Sequence, residues 1–267
     1  MVLLELEARL DNLLATAQTE MANIDLYAPI AEREECPMCL IPLPIDVREA
    51  VFIYCCGKRI CQGCSYKSIF SDMKKGVKLE EFKCAFCRQH IAIKHNDKIK
   101  ELKRLMKKKI PEAFIKMAFN YKHGEGGVIQ SDTKALEMFV CAAELGFADA
   151  FIKIGQHYNE GIVVDQDESK VLQYHEIAAK KGSLYAHQQL AEYHTSNGSM
   201  NLCIEHLKVA ASAGDQESMD KLMAEYRNEA LSKEVLTQTL RACQASQNGM
   251  KSKDREDARA YKARHKA

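Results

Sequence analysis

Eight of the chain's eleven cysteines fall between Cys36 and Cys87, within 52 residues. They form four pairs: Cys36-x-x-Cys39, the adjacent Cys55-Cys56, Cys61-x-x-Cys64 and Cys84-x-x-Cys87. A CxxC pair bends so that two thiolates reach one ion, and two such pairs complete a tetrahedron. Scattered buried thiols do not account for this density, and a disulfide framework does not suit a reducing compartment. Ligand sets made of thiolates alone indicate closed structural sites, because a catalytic zinc keeps a water position and more often uses His or Glu. The metal is therefore expected to staple a module too small to stabilise itself. Cys141, Cys203 and Cys243 lie in later helical pattern, where a free cysteine behaves as a small buried apolar side chain.

The reducing compartment follows from the rest of the chain. The opening "MVLLELEARLDNLLATAQTE" is apolar but carries Glu5, Glu7, Arg9 and Asp11, unlike a secretory signal. No apolar run approaches the roughly 18 residues that span a bilayer. A soluble chain of the cytoplasm or nucleus, without membrane contact, is the expectation. With a net charge of +1, no overall field draws the chain to nucleic acid. The lysines of "DKIKELKRLMKKKI" (97–110) suit a nuclear import signal or a nucleic-acid contact, but read better as the solvated face of an amphipathic helix whose apolar stripe is Ile99, Leu102, Leu105 and Met106. Nothing resembles a nucleotide-binding loop or the nucleophile–base pair of a hydrolase.

Near the N-terminus, Leu3, Leu6, Leu10, Leu13 and Ala17 alternate spacings of three and four, a seam about two heptads long. It predicts a helix over 2–20. Either a second copy of the chain or the chain's own domain can cover such a stripe.

From Ala113 the sequence repeats itself, with units starting at Ala113, Ala150 and Ala186. Tyr121, Tyr158 and Tyr193 are read as corresponding, as are Ala142-Ala143, Ala178-Ala179 and Ala210-Ala211, and Gly146, Gly182 and Gly214. A period of this size marks stacked helical hairpins. Alanine pairs let two helices approach closely, and the following glycine ends the second helix in the left-handed conformation. Gly124 and Gly161 open the loop between helices; in the third unit that loop has lost residues. These residues resemble Sel-one-like repeats, relatives of the tetratricopeptide family, over roughly 113–220. The resemblance implies a solenoid that binds a protein or peptide. After Gly214 a capping hairpin is expected, and "MKSKDREDARAYKARHKA" reads as a solvated helix that frays into a tail.

The cysteine spacings resemble a RING finger over about 36–88. That family binds two zinc ions in a cross-brace, which implies Cys36, Cys39, Cys61 and Cys64 at one ion and Cys55, Cys56, Cys84 and Cys87 at the other. The family usually places histidine where Lys58 stands. An ammonium has no lone pair for a metal, so Cys55 is the substitute ligand, with His90 or His95 as alternatives. Adjacent side chains of an extended strand point apart, so Gly57 is expected to allow a sharp turn. The resemblance further implies a ubiquitin ligase, which orients a charged ubiquitin-conjugating enzyme without a nucleophile of its own. By the family's motif, Met38, Ala85 and Phe86 would touch that enzyme, Ala85 standing where proline is frequent. Arg88 would bridge the enzyme and ubiquitin. The alternative is a non-catalytic scaffold.

The expected fold is mostly α, a small two-zinc RING-like cross-brace module followed by an α-solenoid of helical hairpins. Its segments are an N-terminal helix (1–32), with a homodimer possible through its seam, the zinc-binding domain (33–95), a basic linker helix (96–112), the repeat solenoid with its cap (113–246) and a charged tail (247–267).

Overall fold

The computed structural model describes residues 2–30, 33–45, 50–78 and 81–264. Along the chain come α1 (Val2–Glu20), β1 (Ala50–Ile53), β2 (Lys58–Cys61), α2 (Gln62–Lys74), α3 (His95–Lys107), α4 (Pro111–His123) and α5 (Asp132–Glu144). There follow α6 (Ala148–Glu160), α7 (Glu168–Lys180), α8 (Leu184–Ser196), α9 (Met200–Ser212), α10 (Gln216–Arg227), α11 (Lys233–Gly249) and α12 (Lys253–Arg264). They fall into two compact units. One joins Met1–Ala31 to Lys109–Gln244, and the other joins Glu32–Lys108 to Ala245–Ala267.

In the first unit, α4–α5, α6–α7 and α8–α9 are three hairpins, and each stacks its second helix on the first helix of the next. The alanine pairs lie at the hairpin contacts and are almost fully buried. Ser131, Asp167, Ser183 and Asp215 cap α5, α7, α8 and α10, their side chains accepting from N–H groups three residues on. Gly124 and Gly161 end α4 and α6 at φ of 68° and 65°, a region that costs other residues energy. α10 and α11 continue the array around Met219, Leu222 and Cys243.

The helix starts correct one correspondence. α4, α6 and α8 begin at 111, 148 and 184, so the partner of Tyr121 and Tyr158 is His194, not Tyr193. The same register matches Phe151 to His187 and Tyr174 to His206. In the second hairpin Tyr174 packs against Tyr158 and Phe151 at ring distances of 5.7 and 6.4 Å. In the third, His206 packs against His194 and His187 at 5.5 and 5.3 Å. Three histidines thus occupy an aromatic core position set.

Of the two ways to cover the N-terminal seam, the chain's own array is the one seen. Leu6, Leu10, Leu13, Leu14 and Ala17 are buried in the array's core cluster, leaving Leu3 and Leu4 exposed. α1 lies on α5 and α7. The Tyr174 hydroxyl donates to the Leu10 carbonyl at 2.9 Å, and Arg9 and Lys170 pair with Glu144 and Asp11. Leu10 has no exposed surface, so Leu10→Ala is expected to destabilise this unit by about 3 kcal/mol through lost burial and a cavity. Its urea midpoint should fall while the chain elutes unchanged in size; an unmoved midpoint would place α1 off the array.

The second unit is built on the antiparallel β1–β2 hairpin, with Val51 opposite Ile60 and Phe52 opposite Arg59. α2 follows β2 without a break, and α3 contributes buried Ile99, Leu102 and Leu105. Over the described residues the C-terminal segment is helical, as expected, but one face of it is covered. Residues 253–264 form α12, which packs on α2, with Arg255 and Ala258 buried one turn apart. Residues 265–267 lie outside the described residues.

Candidate metal centres

Two sets of four cysteines converge: Cys36, Cys39, Cys61 and Cys64 in one, Cys55, Cys56, Cys84 and Cys87 in the other. Within each set the sulfurs all lie within 4.8 Å of one another. Four thiolates about 2.3 Å from one ion stand about 3.8 Å apart. Cys39 and Cys61 are 3.9 Å apart, Cys56 and Cys84 3.8 Å, Cys55 and Cys87 3.4 Å. All eight are free thiols. Each set therefore fits one metal ion in tetrahedral thiolate coordination.

Two like loops supply half of each set. In the first, Cys36 N–H donates to the Ile41 carbonyl and Leu40 N–H to the Cys36 carbonyl, at 2.9 and 2.8 Å. In the second, Cys84 N–H donates to the Gln89 carbonyl and Arg88 N–H to the Cys84 carbonyl, at 2.8 and 3.1 Å. Leu40 and Arg88, each just after its CxxC, take positive φ of 56° and 59°. That reversal turns the loop back so that backbone N–H groups point at sulfur. Phe86 N–H donates to Cys84 Sγ at 3.4 Å, and Cys61 N–H to Cys36 Sγ at 3.3 Å. Burial alone would raise the Cys36 thiol, but the N–H groups of Cys61, Met38 and Cys39 outweigh it and bring it down to about 7. Cys84 is lowered likewise: burial opposes, and the N–H groups of Cys87 and Phe86 prevail. Burial raises Cys39, Cys55, Cys56 and Cys64.

The hairpin supplies the rest. Cys61 ends β2 and caps α2, its sulfur accepting from Cys64 N–H at 3.4 Å. At the hairpin's tip, Gly57 at φ 72° lets its N–H return to the Ile53 carbonyl at 2.8 Å. This tight turn gathers the adjacent thiols of Cys55 and Cys56 into one set. His90 is bridged by backbone to Lys83 and His95 opens α3, and neither belongs to a set. Lys58 Nζ lies 5.0 Å from the Phe86 ring centre. Sequence reasoning missed Arg104, whose guanidinium donates to the Cys55 carbonyl from α3 while pairing with Glu101.

Of the other singled-out residues, Met38 and Arg88 are exposed on the two like loops, and Ala85 is half-buried beside Phe86. Phe86 packs against the core around Cys36, Ile60 and Cys64.

On the array, Lys153 of α6 bridges two neighbouring helices, its ammonium 5.7 Å from the Phe119 ring of α4 and 5.8 Å from the Tyr185 ring of α8. Beside it lies a hollow of about 180 Å³ lined by Phe119, Lys122, Phe139, Lys153 and His157. Burial lowers Lys153, with Lys122 nearby acting in the same direction.

Among the described residues no helix is long and apolar enough to cross a membrane. The family model "Sel1 repeat" matches residues 111–147 and 148–183, the first two hairpins, and not the cysteine module. No curated protein matches the chain. One similar solved structure is a Sel1 repeat protein from Oxalobacter formigenes, 23% identical over 70% of each chain, with a TM-score of 0.45. Another is a protective antigen of uropathogenic Escherichia coli strains with an SLR fold. It is 20% identical, with a TM-score of 0.49, over 59% of this chain and 35% of that one. The Sel1 repeat match thus covers the first two hairpins of a chain whose other unit brings together two sets of four cysteines that can each hold a metal ion.

Proposed function

We propose that this chain is a RING-type ubiquitin ligase holding zinc in both cysteine sets. One observation carries the reading: the sets are crossed, the first cysteine pair joining the third and the second joining the fourth. That interleaving is the cross-brace implied by the RING resemblance. Zinc suits four thiolates because it is d10, redox-inert and content with tetrahedral geometry.

The ligase reading assigns Met38, Ala85 and Phe86 to a ubiquitin-conjugating enzyme and Arg88 to the enzyme and its ubiquitin together. Arg88 offers a fork of donors from an exposed loop. Its contribution is orientation of a reactive thioester, with no covalent step on this chain. The Sel1 array then presents a substrate protein, with the Phe119–Lys153–Tyr185 row as the docking face. Zinc-loaded protein should transfer ubiquitin in a reconstituted mixture. Arg88→Ala should slow it by roughly tenfold or more, the loss of charged hydrogen bonds worth about 1.5–3 kcal/mol. Silence across a broad panel of conjugating enzymes, from protein carrying two zinc ions, would refute the ligase.

Lys58 and Ala85 favour a second reading, a scaffold whose zinc module only mediates assembly. Binding of a conjugating enzyme that depends on Met38 and Arg88 separates the two, because the scaffold makes no such contact.

A further inference from the structure

α12 approaches the first cysteine set more closely than its composition suggests. Gly63, inside the third cysteine pair, lies against the Arg255 backbone: a Cβ built there would stand 2.6 Å from Arg255 N. Tyr261 packs on Tyr66 at 5.0 Å, and Asp254 pairs with Lys67 at 3.0 Å. This docking carries Arg255 inward until only 4% of it is exposed. Its guanidinium donates to the Pro42 carbonyl at 2.8 Å, the Ile41 carbonyl at 3.2 Å and the Met250 carbonyl at 2.8 Å. Its Nη2 is 3.9 Å from Cys39 Sγ.

A buried cation costs several kcal/mol unless an anion faces it. Among the described residues no carboxylate pairs with Arg255; its bonds go to carbonyls and sulfur. The anion within reach is the cysteine set itself. Four thiolates around a divalent ion leave two negative charges in excess, and charge-assisted hydrogen bonds to ligand atoms are how surrounding residues tune a metal site.

We infer that Arg255 is the counter-cation of the first metal centre, and that the C-terminal helix is a strap which holds the Cys39 loop on its ion. The carbonyls of Ile41 and Pro42 fix the loop that closes after Cys39, while the positive charge offsets the thiolates. By linkage the coupling runs both ways, so metal at the first site should also order α12. This inference rests on the two-metal reading above.

The test is zinc release from the full-length protein to a colorimetric chelator, resolved into two phases, alongside zinc content. Wild type should carry two ions. Arg255→Met, which keeps bulk and removes charge, should accelerate one phase by about tenfold or more and leave the other unchanged. Arg255→Lys, which keeps charge but loses the fork, should fall between. Removing zinc should raise hydrogen exchange in 253–264. Wild-type release from Arg255→Met would overturn the inference, and so would equal rates for the Lys and Met variants, since charge would then have no part. Fewer than two zinc ions in wild type would instead remove the metal reading, and this inference with it.

Discussion

Cys55→Ser should leave the chain with one zinc ion, and Cys61→Ser should unfold the second unit. The difference lies in what each residue holds. Cys55 contributes one sulfur at the hairpin tip, and its main chain stays anchored through the carbonyl that accepts from Arg104. Losing that sulfur opens the second set and leaves Cys36, Cys39, Cys61 and Cys64 intact. Cys61 joins three things: its sulfur belongs to the first set, its N–H donates to Cys36 Sγ, and it caps α2 at the end of β2. The apolar core it sits in is small, formed by Cys36, Leu43, Ile60, Cys61 and Cys64 with a few half-buried neighbours. A structural zinc contributes about 10–16 kcal/mol in small metal-folded modules, as much as the whole net stability of a typical domain. Without the first ion, that core has no comparable source of stability. Metal analysis should read two, one and at most one ion for wild type, Cys55→Ser and Cys61→Ser. Hydrogen exchange across 50–78 should rise steeply only in the last. Two ions retained in Cys55→Ser would return the fourth ligand to His90 or His95.

What the sequence makes legible here follows from spacing. The cysteine sets are visible because metal ligation demands particular residues at particular intervals, and Gly57 marks the turn that folds two adjacent thiols inward. The hairpins are visible because alanine pairs and left-handed glycines are required by helix contact and helix ending. What was misread depended on register or on partners far along the chain. Tyr193 invited a match that helix starts reassign by one residue to His194. The leucines of α1 specify burial and not by what, and only the array supplies the answer. α12 has a weakly apolar sequence, because its buried stripe is one alanine and one whole arginine, guanidinium included. Arg104 and Arg255 look like ordinary surface charges until the fold sets each beside a cysteine loop.

The substitution of histidines for aromatic rings in the third hairpin makes its stability depend on pH. His187 and His206 are each about 1% exposed, with Nδ1 atoms 3.1 Å apart. One nitrogen of that pair must be the acceptor, which a doubly protonated ring cannot be. Burial lowers His187 to about 4, partly opposed by its bond to the Ala179 carbonyl. Burial lowers His206 to about 3, and the charges of His187 and His194 push in the same direction. Both folded values lie below the ordinary 6.5, so the unfolded chain binds protons first. The contribution is therefore complete above pH 6.5, declines as pH falls below it, and is lost by the time pH has passed through the folded values. For His187 alone the shift corresponds to roughly 3 kcal/mol. The array should accordingly lose stability between pH 6.5 and 4, with hydrogen exchange in 184–212 rising before that in 111–160. His187→Phe, His194→Tyr and His206→Tyr together restore the second hairpin's aromatic set and should abolish the early rise of exchange in 184–212 while leaving the neutral-pH fold in place; the part of the decline that remains belongs to His175, which burial lowers to about 4, and to His157, which burial also lowers. An equally steep decline in the triple variant would assign the acid sensitivity to other groups.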